Sequence, residues 1–285
     1  MELLKVAIQK SGRLSEKSLS LLSECGIGVD NGDRKLVSRS WNYPIELLFL
    51  RDDDIPQYVA DGVADAGIVG ENILAEKGIS PGLLERLGFG RCRLSLAVPR
   101  NSSYKGLDWF AGKRIATSYP QILKKYLEEK KVDSEIHEIS GSVEIAPGIG
   151  LADGIFDIVS SGSTLISNGL TEVETVMRSE AVLFRHRDLP AGVQETLDNL
   201  LFRIRAVQRA KNNRYILLNA PNSSIEKITS VIPGMKSPTI MPLARKDWSS
   251  IHSVVTEHDF WEVIGQLKEL GAEGILVIPI EKMIL

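Results

Sequence analysis

The sequence is poor in the features that announce metal centres, export or nucleic-acid binding. It holds two cysteines, Cys25 and Cys92, at no metal-ligand spacing. They read as free thiols of a cytoplasmic protein. The four histidines, His137, His186, His252 and His258, form no pair at metal spacing. No serine–histidine–acid arrangement can be read among them, and each reads as structural or surface. The net charge of −3 supplies no basic field for nucleic acid, so an anionic substrate must be held by local arrangement. No apolar run approaches the roughly 18 residues of a membrane span. The opening residues, with Lys5 and Lys10, lack an export core. P-loop and dinucleotide glycine spacings are absent, as are internal repeats and low-complexity tracts.

What is present is an ordinary globular composition, 43% apolar and 25% charged over 285 residues, enough for two or three domains. Short apolar runs alternate with helical patterns up to about residue 180. Residues 3–8, 45–50 and 66–69 read as strands, and residues 15–25 as a helix stopped by Gly26. Asp54 stands where it can cap a helix opening with Pro56. This order predicts crossover units and a largely parallel sheet. Residues 94–98 read as a strand, and 99–103 as a linker into a second alternating set: strands at 114–117, 155–159 and 173–177, and a helix at 121–130. Residues 181–184 are expected to return to the first sheet. After a long amphipathic helix at 190–211, the order becomes strand, helix, strand, strand, helix, strand, which is ferredoxin-like.

Four segments can carry chemistry. In residues 141–170, Asp153 and Asp157 flank Ile155 and Phe156, and Ser160, Ser161, Gly162, Ser163 and Thr164 follow directly. Small residues let backbone N–H groups approach a phosphate, and hydroxyls add donors. Carboxylates just upstream suit ribose hydroxyls or a magnesium ion. Together these describe a phosphoribosyl donor; the plainer reading is a strand followed by a capped helix. The turn at 9–14 offers Lys10, a glycine and Arg13 after the first strand, where ligands of parallel sheets gather. Arg13 could clamp a pyrophosphate with two parallel hydrogen bonds; a solvated basic turn is the alternative. Arg34 and Lys35 form a pair of cations that otherwise decorate a surface. Residues 51–56 hold Arg51 and three aspartates, either a site-facing arginine with acidic partners or a helix cap with solvated neighbours.

In order, AIQKSGRLS, RDDDIP, DGVADAGIVGENIL, GFGRCRLSLAVP, GKRIATSYP, GSVEIAPGIGLADGIFDIVSSGSTLISNGL, PGMKSPTIMPLA and GAEGILVIPIEKM resemble the long-form, histidine-regulated ATP phosphoribosyltransferases over nearly the whole chain. The resemblance implies an α/β fold of two periplasmic-binding-protein-like (type II) lobes and a C-terminal ferredoxin-like (ACT-like) regulatory domain. Lobe I would comprise residues 1–98 with 181–210, lobe II residues 99–180, and the histidine-binding domain residues 211–285. It implies an enzyme that condenses ATP with phosphoribosyl pyrophosphate in the first step of histidine biosynthesis, with feedback inhibition by histidine.

By resemblance, Asp153 and Asp157 face the ribose, residues 160–164 hold the 5-phosphate, and Glu144 sits at the ribose edge. Arg13, with Lys10 beside it, stabilises the departing pyrophosphate. Arg34, helped by Lys35, is a second cation over the phosphates, and Arg51 joins the substrate-binding set. Magnesium arrives on substrate phosphates, with no protein ligand assigned. An inhibitor pocket maps onto Asn219, Met235, Ser237, Thr239 and Gly274. Gly154 and Asn219 stand where the family often has alanine and aspartate. Homodimers and homohexamers are expected, in the cytoplasm. A non-catalytic solute-binding protein and an amino-acid sensor with decayed lobes are the rival readings. The first is opposed by the missing export core and the cationic turn, the second by the presence of Arg13, Asp153 and Asp157.

Overall fold

A computed structural model describes residues 2–30, 36–80, 82, 84–232 and 237–284. The chain forms two compact units, Met1–Asp198 and Asn199–Leu285.

The first unit contains two sheets. The first sheet uses β1 (Leu4–Gln9), β2 (Val37–Arg39), β3 (Ile45–Leu50), β4 (Ala66–Gly70), β5 (Leu84–Arg86) and, much later, β11 (Ala181–Arg185). Their order is β2-β3-β1-β4-β11-β5. β1 runs parallel to β3 and β4, whereas β11 is antiparallel to β4 and β5. β1 buries Leu4, Val6, Ala7 and Ile8, and β4 buries Ala66 to Val69, as expected of central strands covered on both faces. α1 (Arg13–Glu24), α2 (Ile55–Ala60) and α3 (Glu71–Glu76) follow β1, β3 and β4. Asp54 occupies the N-cap position of α2, but its side chain makes no capping bond.

The second sheet uses β6 (Cys92–Pro99), β7 (Arg114–Thr117), β8 (Glu135–Glu138), β9 (Gly154–Val159) and β10 (Leu170–Ser179), in the order β10-β6-β9-β7-β8. α4 (Pro120–Lys130) and α5 (Ser163–Ser167) follow β7 and β9. The core here is Leu94, Leu96, Phe110, Ile115, Leu123 and Phe156, all fully buried. β6 pairs with β9 and β10. The expected lobe I span of 1–98 is therefore corrected: residues 92–98 belong to the second sheet. The chain crosses between sheets in the stretch between β5 and β6, and again at Glu180 between β10 and β11. Gly154 is closely approached, since a Cβ there would lie 2.8 Å from the buried ring of Phe110.

α6 (Ala191–Lys211) spans the boundary between the units. The second unit contains β12 (Asn213–Pro221), α7 (Ile225–Val231), β13 (Thr239–Pro242), β14 (Trp248–Thr256), α8 (Glu257–Glu269) and β15 (Glu273–Pro279). Its four strands pair antiparallel in the order β13-β14-β12-β15. Ile216, Leu218, Ile228, Ile251, Phe260 and Leu267 form its core. Thr256 caps α8, its hydroxyl accepting from the Asp259 N–H at 3.1 Å.

Candidate active site

β9 buries Ile155 and Phe156 and delivers its C-terminal end to a cavity of about 260 Å³. Glu144, Asp157, Ser160, Ser161, Gly162 and Thr164 line it. β9 runs parallel to β7, so this is the strand end where ligands of parallel sheets collect. The chain turns into α5 at Gly162, whose φ of 83° is the left-handed conformation that glycine adopts without strain. The Ser161 and Ser163 hydroxyls lie 2.9 Å apart, and the Ser163 N–H points at Ser161 Oγ at 3.4 Å.

Asp157 is half-buried, and burial pushes its carboxyl up to about 6. The charge of Glu144 pushes the same way, and a backbone hydrogen bond from Ile158 opposes both. Asp153 is not brought to this cavity. It precedes β9 at the opposite end of the strand, where its carboxylate accepts the Arg114 N–H at 2.9 Å and lies 3.5 Å from Arg114 Nε. The backbone hydrogen bond from Arg114 is the main reason its carboxyl sits below the usual range. Four steps along the strand, at about 3.3 Å each, separate the two aspartates.

A second cavity of about 320 Å³ lies between the two sheets of this unit, with Arg13, Lys17, Asn72, Arg91, Tyr119 and Ser160 among its lining residues. Ile158 and Ser160 line both cavities, so the two are contiguous. Arg13 is the first residue of α1, entered through Gly12 at φ 90°. Lys17, one turn on, faces the same space. Asp52 also lines it, 3.5 Å from Gln9 Nε2. The Tyr119 hydroxyl is raised well above its ordinary range, first by burial and then by the charges of Asp157 and Asp52.

Lys10 and Arg51 do not line either cavity. Both are exposed, and their backbones tie strand ends: Lys10 N–H donates to the Leu50 carbonyl at 2.7 Å, and the Arg51 carbonyl accepts from Asp54 N–H at 3.1 Å. Ser163 is spent on Ser161 and does not line the first cavity. Arg34, Lys35 and Met235 lie outside the described residues. In the second unit Asn219 and Gly274 adjoin, since a Cβ on Gly274 would sit 3.3 Å from Asn219 Nδ2. Thr239 instead faces His252, a further strand away, and the Ser237 hydroxyl turns to the Pro238 carbonyl at 3.4 Å.

Sequence reasoning missed Lys17, Asn72, Arg91 and Tyr119. Tyr119 had a signal, because it stands just beyond the carboxyl end of β7; Arg91 precedes the apolar run at 94–98 and carries no such signal. Among the described residues no group of three histidine, cysteine, aspartate or glutamate side chains could hold a metal. Glu144 and Asp157 are a pair of carboxylates on one cavity. No helix among the described residues is long and apolar enough to cross a membrane.

The HisG family model, described as ATP phosphoribosyltransferase, matches residues 51–206, and that of the HisG C-terminal domain matches residues 210–282. An ATP phosphoribosyltransferase of Parabacteroides distasonis is 59% identical over 282 residues, 99% of this chain and 100% of that one. One from Cytophaga hutchinsonii is 59% identical over 281 residues, 99% of this chain and 98% of that one. A solved chain of the ATP phosphoribosyl transferase (HisG:HisZ) complex from Thermotoga maritima is 30% identical, with a TM-score of 0.61, over 71% of this chain and 99% of that chain.

Two expectations are corrected by these findings. The long, histidine-regulated assignment gives way to the HisG form. The relatives matched end to end are described as ATP phosphoribosyltransferases without qualification, and the solved likeness is to a chain of the HisG:HisZ complex. The ACT-like regulatory domain is likewise withdrawn. The solved likeness covers only 71% of this chain, and residues 210–282 match as the C-terminal domain of HisG. A four-stranded sheet with two helices is an arrangement shared by many unrelated functions, and its connectivity carries no regulatory role.

Proposed function

We propose, on the premise that the chain belongs to the ATP phosphoribosyltransferase family, that the loop at 160–164 grips the 5-phosphate of the donor sugar while Arg13 meets its pyrophosphate. The chain is a pentosyltransferase that condenses ATP with 5-phosphoribosyl 1-pyrophosphate to give N1-(5-phosphoribosyl)-ATP and pyrophosphate, the first step of histidine biosynthesis. The observation that carries the site reading is the shared wall: Ser160 belongs both to the hydroxyl-rich cavity and to the cationic cavity of Arg13 and Lys17. A donor with phosphate at one end and diphosphate at the other fits two such cavities in sequence.

In this reading the adenine N1 lone pair forms the bond to C1 of the ribose, and the C1–O pair leaves with pyrophosphate. Adenine N1 is a weak, neutral nucleophile, so alignment matters more than a strong base. Holding both substrates in line is worth several kcal/mol, up to about 7–11 in ideal cases. Arg13 offers charge where the leaving group gains it, and Lys17 stands beside it. Asp157 faces the ribose, where positive charge develops, and Glu144 is at its edge. Magnesium bound with the substrate phosphates would neutralise part of their charge; Asp157 and Glu144 on the first cavity and Asp52 on the second are the carboxylates that would be available to it.

Replacing Arg13 with Ala removes a donor of a kind typically worth about 3–4 kcal/mol, so the turnover number should fall by about 10²–10³-fold with little change in ATP binding. Unchanged turnover would sink the role of Arg13. A crystal soaked with donor and magnesium tests the loop directly: the sugar phosphate should lie against residues 160–164, and its seating elsewhere would end the reading. Assembly into homodimers and homohexamers, a cytoplasmic location and inhibition by histidine are proposed with it, the last without a dedicated regulatory domain. Sedimentation tests the first. Calorimetry with histidine tests the last, with Asn219 and Gly274 as the adjoining residues to vary.

A further inference from the structure

We propose that Arg93 is a positioning residue for the phosphate loop, an inference that rests on the reading of residues 160–164 as that loop. Arg93 lies on β6 directly opposite Val159, the last residue of β9 before the loop begins. Its guanidinium spends its donors in two directions. Nε and Nη2 each reach a carboxylate oxygen of Glu172 at 2.5 Å, and Nη1 donates to the backbone carbonyl of Ser160 at 3.0 Å. Glu172, on β10, is itself held by the Ser95 hydroxyl at 2.8 Å and the Thr175 hydroxyl at 3.3 Å. Ser95 is fully buried. The clamp therefore runs from the interior of the sheet, through Glu172 and Arg93, to the first peptide of the loop.

The peptide that Arg93 grips decides where the loop's donors point. In a trans peptide the carbonyl and the next N–H are antiparallel. Holding the Ser160 carbonyl toward Arg93 aims the Ser161 N–H the other way, and Ser161 lines the cavity that takes the phosphate. The bonds within the loop and α5 are local: Ser161 to Ser163, Ser167 back to the Ser163 carbonyl, and Asn168 back to the Thr164 carbonyl. They shape the turn without fixing it to the sheet. Arg93 supplies that fixing point.

Charge fits the same role. The Glu172 carboxyl is held down to about 2, chiefly by its hydrogen bonds to Arg93, so the pair stays ionised and mutually neutralised at working pH. Arg93 thus orients the loop without offering a competing anion site. Lysine cannot replace it, because one ammonium cannot make a two-bond fork to a carboxylate and also reach a carbonyl on its far side.

The test is steady-state kinetics on the full chain, each substrate varied in turn, for Arg93→Lys and for the gentler Glu172→Gln, with Thr164→Ala as a probe of the loop itself. Losing a charge-assisted hydrogen bond that orients the loop should raise the KM for phosphoribosyl pyrophosphate by about ten-fold in Arg93→Lys. The KM for ATP and the melting temperature should stay near those of the parent, and Glu172→Gln should shift the donor KM in the same direction by less. A donor KM unchanged in both clamp variants, beside a raised one in Thr164→Ala, would overturn the role of Arg93 and leave the loop reading intact. Equal rises in both KM values with a lowered melting temperature would overturn it in favour of a general structural role. No change in any of the three would remove the loop reading and the clamp together.

Discussion

Asp157 occupies a place where a carboxylate is costly and useful together. Burial raises its carboxyl from 3.8 to about 6, so the native state holds this proton more tightly than the unfolded chain does. Stability therefore declines as pH rises from about 4 to about 6, and the whole penalty is present above that. A shift of this size corresponds to a cost on the order of 2–3 kcal/mol at neutral pH. Asp157→Asn removes the ionisable group. The variant should resist denaturant better than the parent at pH 7–8, with the advantage shrinking toward pH 4, and it should lose activity because the ribose loses its anionic neighbour. Denaturant midpoints across pH measure this, and parallel curves for the two proteins would contradict it. A site residue that costs stability is what catalytic pKa tuning requires. Gly154 is a different case at the same scale: the ring of Phe110 and the carbonyl of Ala97 fill the place of a side chain. Packing, and not the active site, accounts for glycine at this position.

Among the elements, α4 has its start completed by the side chain of another helix. Pro120 opens it, and no side chain of its own caps it. Instead Glu76, at the end of α3, accepts from the Gln121 N–H at 2.8 Å and the Ile122 N–H at 3.0 Å. A carboxylate there satisfies two orphan donors and meets the positive end of the helix. Glu76→Gln should cost about 1 kcal/mol, and the cost should shrink at high salt, as a charge–dipole contribution does. Urea melts at two ionic strengths measure it; a salt-independent loss would point to packing. No sequence rule announces such a cap, because its two halves are 45 residues apart. The elements that were legible are those whose signal is local. β1, β3, β4 and β9 are apolar runs bounded by turn residues, and the loop after β9 declared itself by small hydroxylated residues. The lobe of β6 was not legible, because an apolar strand reads alike in either sheet and only its partners, β9 and β10, decide. Asp153 was misplaced for a related reason. It sits near Asp157 in sequence, but an extended strand carries the two to opposite ends.

Across the first unit as a whole, the proposed site is a space walled by both sheets, so the angle between the sheets is part of it. Among the described residues the chain crosses between them after β5 and after β10, and the second crossing is pinned. The Asn72 N–H donates to Ser179 Oγ at 3.0 Å, the Ser179 hydroxyl returns a bond to Asn72 Oδ1 at 2.8 Å, and the Glu71 N–H donates to the Glu180 carbonyl at 2.9 Å. Asn72 belongs to α3 beside the first sheet, and Ser179 ends β10 of the second. Both are almost fully buried. In Asn72→Ala the Ser179 hydroxyl loses its acceptor in a buried place, which costs about 1–3 kcal/mol. The crossing loses its lock at the same time. Because Asn72 also lines the cationic cavity, the change reaches the site from the hinge side and touches both substrates. The expected result is a rise in the KM for ATP and for phosphoribosyl pyrophosphate together, with a lower melting temperature. This is the opposite of the single-substrate effect expected at Arg93, where only the loop is released. Kinetics on the two variants in parallel separate a device that sets the cleft from one that sets the loop, and a donor-only effect in Asn72→Ala would show that the crossing does not govern the cleft.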